Sequence, residues 1–260
     1  MESPIGIIDS GVGGLSIASA LFKNLPKESF IYLADSKNCP YGQKSKEEIY
    51  DLTRKMVDFL IKRQIKLLVV ACNTITVTVI DKLRKDYPDI PIVGIVPVLK
   101  TAAISSKSKR IGVFSTKVTS ESQYQRDLIN RFARDCVVIN IGSSDLVQMI
   151  ENLDFDSIDK VLEEELNELK INQIDTLALG CSHFPLIKDR IQKFLPNILI
   201  LDSSEAVSRQ VGRILETNNI SSENSDPSYN FFTTGDVERL KFFVEKLTIN
   251  AGVERISLHD

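Results

Sequence analysis

Short apolar runs alternate with amphipathic stretches of helical length from one end of the chain to the other. This is the pattern of an α/β protein with mostly parallel sheets. The runs predict strands at Ile5–Asp9, Phe30–Ala34, Lys66–Ala71, Ile92–Val96, Arg110–Phe114, Val137–Ile141, Asp175–Leu179, Ile198–Leu201 and Asn230–Thr233. The best-marked helix is expected from Ser45 to about Lys62. Ser45-Lys46-Glu47-Glu48 forms a capping box, and Ile49, Leu52, Met56, Phe59 and Leu60 make the stripe that packs on a sheet. Pro185 suits the first turn of a further helix.

The two halves resemble each other. Ile5-Gly6-Ile7-Ile8-Asp9-Ser10 parallels Ile111-Gly112-Val113-Phe114-Ser115-Thr116, and Leu68-Val69-Val70-Ala71-Cys72-Asn73-Thr74 parallels Leu177-Ala178-Leu179-Gly180-Cys181-Ser182-His183. Any two buried parallel strands look alike, so the first pair alone carries little. The second is harder to dismiss, because both copies place a cysteine and then small polar residues at a strand end. Two related α/β units are the natural inference. Ala103 to Lys109 and Glu216 to Tyr229 are polar stretches where the chain would cross between units or run over the surface.

Composition narrows the function. With 260 residues, 43% of them hydrophobic and 26% charged, the chain has the material for one large or two smaller cores. The longest clearly apolar run, Leu67 to Cys72, is far short of the roughly 20 residues that span a bilayer, and the segment before Ile5 has no secretory signature. A cytoplasmic protein without membrane partners is expected. The 32 basic and 35 acidic residues are spread evenly, giving a net charge of -3, so nucleic acid is not an expected partner. Cys39, Cys72, Cys136 and Cys181 form no C-x-x-C pair, and neither a disulfide framework nor a zinc site is expected. The match to a glycosylation acceptor at Asn219-Ile220-Ser221 then reads as chance.

Ligands of parallel α/β sheets bind beyond the carboxyl ends of the strands. Here those ends carry Asp9-Ser10-Gly11-Val12-Gly13-Gly14, Asp35-Ser36, Cys72-Asn73-Thr74, Thr116 with Thr119, and Cys181-Ser182-His183. The glycine run matches neither G-x-G-x-x-G nor the P-loop. It reads as a tight turn needing positive φ or close backbone approach, with Asp9 and Ser10 as its functional part. A thiol at a strand end before a helix start is expected to have its pKa lowered from about 8.5 toward neutrality. Cys72 and Cys181 could then face one substrate, one accepting a proton while the other donates. His183 could handle the thiol's proton. Cys136 reads as a small hydrophobe, Cys39 stays open, and His259 reads as a solvated surface residue. A metal held by Cys181 and His183 is disfavoured, since no second ligand pair exists.

These residues resemble the glutamate racemases of the aspartate/glutamate racemase superfamily. The resemblance rests on Ile7-Ile8-Asp9-Ser10-Gly11-Val12-Gly13-Gly14-Leu15, Asp35 with Pro40-Tyr41-Gly42, Ala71-Cys72-Asn73-Thr74, and Thr116-Lys117-Val118-Thr119 with Ser122 and Tyr124. It continues through Leu146-Val147 before Glu151, Gly180-Cys181-Ser182-His183-Phe184-Pro185, and Phe232-Thr233-Thr234-Gly235-Asp236. It implies two related α/β domains with pseudo-twofold symmetry and an active site between them. The first would be discontinuous, 1–97 and 207–260, and the second would span 98–206. It implies Cys72 as the catalytic thiol for the D-enantiomer, supported by Asp9, and Cys181 for the L-enantiomer, supported by His183 and Glu151. Ser10, Tyr41, Gly42, Asn73, Thr74, Thr116, Thr119, Ser182 and His183 would line the glutamate site. No cofactor and no metal are implied, the product would feed peptidoglycan synthesis, and a homodimer is left open.

Two departures stand out. The family usually carries an arginine between the aspartate and Pro-Tyr-Gly, where this chain has Ser36-Lys37-Asn38-Cys39. Ser182 stands where threonine is commoner. The alternatives are a racemase for aspartate or a related acid, and a non-catalytic amino-acid-binding regulator on the same scaffold.

Overall fold

The computed structural model describes residues 3–95, 98–247 and 251–258. The chain forms two compact units, one built from residues 1–95 and 204–260 and the other from 96–203. His259 and the end of the run Ile92–Val96 lie outside the described residues.

The first unit contains β1 (Ile5–Asp9), α1 (Leu15–Asn24), β2 (Phe30–Ala34), α2 (Lys46–Ile61), β3 (Leu67–Val70), α3 (Asn73–Asp86) and β4 (Ile92–Val93). The second contains α4 (Leu99–Ser105), β5 (Arg110–Thr116), α5 (Lys117–Ser120), α6 (Gln123–Phe132), β6 (Val137–Ser143), α7 (Leu146–Glu151), α8 (Phe155–Glu165), α9 (Asn167–Ile171), β7 (Thr176–Leu179), α10 (Lys188–Phe194) and β8 (Leu199–Leu201). The chain then re-enters the first unit with α11 (Ser204–Thr217), β9 (Tyr229–Thr233), α12 (Val237–Glu245) and β10 (Val253–Arg255).

Each unit holds one parallel sheet. The strand orders are β10-β9-β2-β1-β3-β4 and β6-β5-β7-β8. The central strands β1, β2, β3 and β7 are buried throughout, as parallel strands covered on both faces must be. The internal resemblance extends to hydrogen-bond register. Ile5 pairs with Leu67 and Gly6 with Leu68, while Ile111 pairs with Thr176 and Gly112 with Leu177. Just past the ladders, Ala71 N–H donates to Ile8 O at 2.8 Å and Gly180 N–H to Phe114 O at 2.7 Å. The paired glycines share a cause. A Cβ on Gly6 would strike Leu60 and Ile65, and one on Gly112 would strike Ile174 and Leu177. The equivalent strands therefore share packing as well as sequence.

Helix α2 starts as its sequence dictates. Ser45 Oγ accepts from Glu48 N–H at 3.2 Å, and Glu48 Oε2 accepts from Ser45 N–H at 2.8 Å. Of its expected stripe, Ile49, Met56 and Leu60 are buried, together with Thr53 and Val57, while Leu52 and Phe59 are half-buried. An aromatic layer of Phe22, Phe30, Tyr229 and Phe231 covers the other part of the sheet. The polar stretch 103–109 lies within the second unit, where the Asp175 carboxylate accepts from Ser106 Oγ and the N–H groups of Lys107 and Ser108.

Candidate functional site

In the first unit, β1 delivers Asp9 and Ser10 and β3 delivers Cys72. All three are buried. Cys72 is the N-cap residue of α3, and its Sγ lies 3.5 Å from Ser10 Oγ. Ser10 Oγ also lies 3.5 Å from Asp9 Oδ1, which accepts from Gly11 N–H at 2.8 Å. The glycine run is held by close approach. Among the described residues no glycine has positive φ, and a Cβ on Gly14 would fall within 3 Å of Asp9, Ala71 and the Tyr32 hydroxyl. That hydroxyl donates to Gly11 O at 2.8 Å.

Helix-start geometry predicted a lowered pKa for Cys72, and the structure reverses the sign. Burial pushes the thiol up to about 12 and the Asp9 charge adds to it. Ser10 Oγ and the N–H groups of Ile75 and Ser10 pull the other way and are outweighed. The magnitudes explain why. Complete burial shifts a group by up to about 3–5 units, whereas a helix terminus contributes about 0.3–1 kcal/mol, less than one unit. Cys72 is therefore a neutral thiol at rest.

Asp35, at the end of β2, anchors the loop that departs from the family. It is fully buried, and its carboxylate accepts from Tyr41 Oη at 2.5 Å, Thr234 Oγ1 at 2.6 Å and Asn38 Nδ2 at 3.0 Å. Asn38 of the Ser36–Cys39 stretch thus occupies the carboxylate. Burial, reinforced by the Asp35 charge, holds the Tyr41 phenol far above its ordinary range. Its ring shares one apolar cluster with Cys72. Gly42 follows in a 3-10 turn with open space where a Cβ would stand, and Asn73 and Thr74 open α3 half-buried.

In the second unit, Thr116 ends β5 and caps α5. Its Oγ1 donates to Thr119 Oγ1 at 2.9 Å and accepts from Thr119 N–H at 3.3 Å. Cys181, Ser182 and His183 follow β7 and are buried. His183 Nε2 lies 2.6 Å from Glu151 Oε1, carried by the last residue of α7. The segment after Cys181 is not an α-helix. Pro185 sits inside a 3-10 turn, Phe184–Ile187, and α10 begins only at Lys188. The helix-start argument consequently has no geometric basis at Cys181.

The two units carry cysteines at equivalent places with different neighbours. By the repeat, Asp9 corresponds to Ser115, whose hydroxyl donates to Thr116 O at 3.3 Å. The carboxylate of the second unit comes instead from α7 and reaches its half-site through an imidazole. Thr234 and Asn38, named in the sequence within a motif and a departure but given no role there, both donate to Asp35. The return of β9 beside β2 is what brings Thr234 onto Asp35.

The fold is that of an amino-acid racemase scaffold, and the chain belongs to the Asp/Glu/hydantoin racemase family, whose model it matches over residues 5–211. Within that family it groups with the glutamate racemases. It is 38% identical to the glutamate racemase of Oceanobacillus iheyensis over 245 residues, 92% of this chain and 89% of the relative. Its structure resembles a glutamate racemase isoform from Bacillus anthracis with a TM-score of 0.86 at 35% identity, covering 98% of both chains. The Escherichia coli glutamate racemase in complex with L-glutamate and activator UDP-MurNAc-Ala matches with a TM-score of 0.86 at 30% identity, again over 98% of both. No helix among the described residues is long and apolar enough to cross a membrane.

Proposed function

We propose that this chain interconverts L- and D-glutamate by direct proton transfer at Cα, and that Cys72 and Cys181 are the two proton-transfer groups. One observation carries the reading. The two cysteines follow strands of equivalent register, and each unit provides its own buried carboxylate, Asp9 in one and Glu151 through His183 in the other.

In the L-to-D direction, Cys181 as thiolate takes the Cα proton, and the electron pair stays on the substrate as a carbanion. Cys72 delivers its thiol proton to the opposite face, becoming the thiolate that begins the reverse reaction. Its raised pKa suits the donating role at rest. Hydrogen bonds from preorganised N–H and hydroxyl groups stabilise the carbanion in place of a cofactor electron sink. Ser10, Tyr41, Gly42, Asn73 and Thr74 from one unit, and Thr116, Thr119, Ser182 and His183 from the other, hold the substrate. We assign the product to peptidoglycan precursor synthesis in the cytoplasm.

The test is isotopic. With L-glutamate in heavy water, early D-glutamate should carry deuterium while recovered L-glutamate keeps protium, because the thiol on the product side has exchanged with solvent. Equal early labelling of both pools would exclude two distinct bases. A polarimetric comparison with L-aspartate separates the glutamate reading from its rival.

A further inference from the structure

A cavity of about 380 Å³ in the first unit is lined by α2, the Asp35–Asn38 turn and the β10 segment. A hollow of about 290 Å³ continues it along α2, sharing Lys55, Ser257 and Leu258. Among the described residues that line them, Lys37, Lys55 and Arg255 face the first and Arg54 and Lys62 the second, with Asp35 and Asp58 as the carboxylates. Five cations less two carboxylates leave a local excess of three positive charges, in a chain of net charge -3. Asp35 is already occupied by its three donors, and Asp58 accepts from Tyr87 Oη at 2.7 Å. Among the described residues, the ion pairs of this unit do not involve Lys37, Lys55, Lys62 or Arg255.

Cations that outnumber the carboxylates around one hollow concentrate a positive potential that an anion relieves. A guanidinium fork with two ammonium groups matches a multiply charged tetrahedral anion better than a single carboxylate. Leu52, Ile256 and Leu258 add apolar wall, and the volume falls in the range of about 300–1,000 Å³ usual for small-molecule sites. We infer that this groove binds a phosphate-bearing small molecule with an apolar body, its phosphate held by Lys37, Lys55 and Arg255. The site is coupled to substrate binding. Asp35, Asn38 and Thr234 line the same cavity, and Asp35, braced by donors from Asn38 and Thr234, accepts from the Tyr41 hydroxyl.

The binding test needs no turnover, so its failure is distinct from failure of the racemase assignment. Phenyl phosphate is titrated calorimetrically into the full chain, with inorganic phosphate and phenol as controls. Saturable binding is expected, weaker for either control, weakened by salt, and persisting at saturating glutamate with a changed Kd, since coupling between two sites is reciprocal. A Lys55→Met/Arg255→Met variant, or Lys37→Met alone should the first fail to fold, should lose affinity by about tenfold. Absence of saturation, unchanged affinity in the folded variant, or fully competitive displacement by glutamate would overturn the site. With the site saturated, the KM for glutamate should shift, and an unchanged KM would overturn the coupling through Asp35.

Discussion

His183 Nε2 and Glu151 Oε1 lie 2.6 Å apart, both buried, joining the turn after β7 to the end of α7. The pair fixes the orientation of the imidazole two residues beyond Cys181. Glu151→Gln should keep the fold and lower kcat/KM by about 10²-fold, the low end for a general acid–base group. The fall must be equal in both directions, because a racemisation has an equilibrium constant of one. Steady-state assays from each enantiomer check this, and an unaffected rate would remove Glu151 from the machinery.

Loss of either proposed thiol should be far more severe. Cys72→Ala and Cys181→Ala should each reduce racemisation by more than about 10³-fold. Cys136→Ala, at a half-buried position before β6, should leave most activity. Polarimetry on the three purified variants is sufficient, and appreciable turnover by either of the first two would end the two-thiol mechanism.

The pH behaviour of Cys72 has a definite sign. Folding raises its pKa from 9.0 to about 12, so the neutral thiol's contribution to stability is fully present below pH 9.0 and is lost as pH rises toward about 12. Wild type should therefore lose more unfolding free energy than Cys72→Ala between about pH 8 and 11. Because the thiolate is the reactive form, iodoacetamide should label Cys136 well before Cys72 at neutral pH. Faster labelling of Cys72 in the folded protein would contradict the burial argument.

Asp35→Asn tests the loop anchor. The substitution replaces one acceptor oxygen with an NH₂ group facing donors, and should destabilise the protein by about 1–3 kcal/mol. It should also raise the KM for glutamate, because Tyr41 Oη loses its 2.5 Å partner. Urea denaturation and kinetics on the same preparation measure both. A stability loss with unchanged KM would restrict Asp35 to a structural role.

The sequence made most strands visible because apolar runs such as Leu67–Val70 are buried on both faces of a parallel sheet. It hid β10, whose Val253-Glu254-Arg255 has no apolar run and pairs only along β9. The ends of β5 and β6 were also hidden, since Ser115 pairs with Gly142 and Thr116 with Ser143 through backbone groups alone. Within the half-sites, Asp9 and Cys72 were legible from their places at strand ends. The sign of the Cys72 shift was not, because burial and a neighbouring carboxylate are set by tertiary packing. The common role of Asn38 and Thr234 was hidden for the same reason, since they lie 196 positions apart in a chain that brings both onto Asp35.

The ladder between β2 and β9 joins Phe30–Ala34 to Tyr229–Thr233 in five consecutive pairs. On the ribosome, β2 emerges nearly two hundred residues before its partner, and the whole of the second unit is made in the interval. The second unit is thus the first whose strands are all available, and the sheet carrying Cys72 is finished last. Until β9 arrives, β2 presents a bare apolar edge of the kind that recruits other chains. Nascent-chain lengths ending before Tyr229 are accordingly the ones on which a chaperone has most to shield.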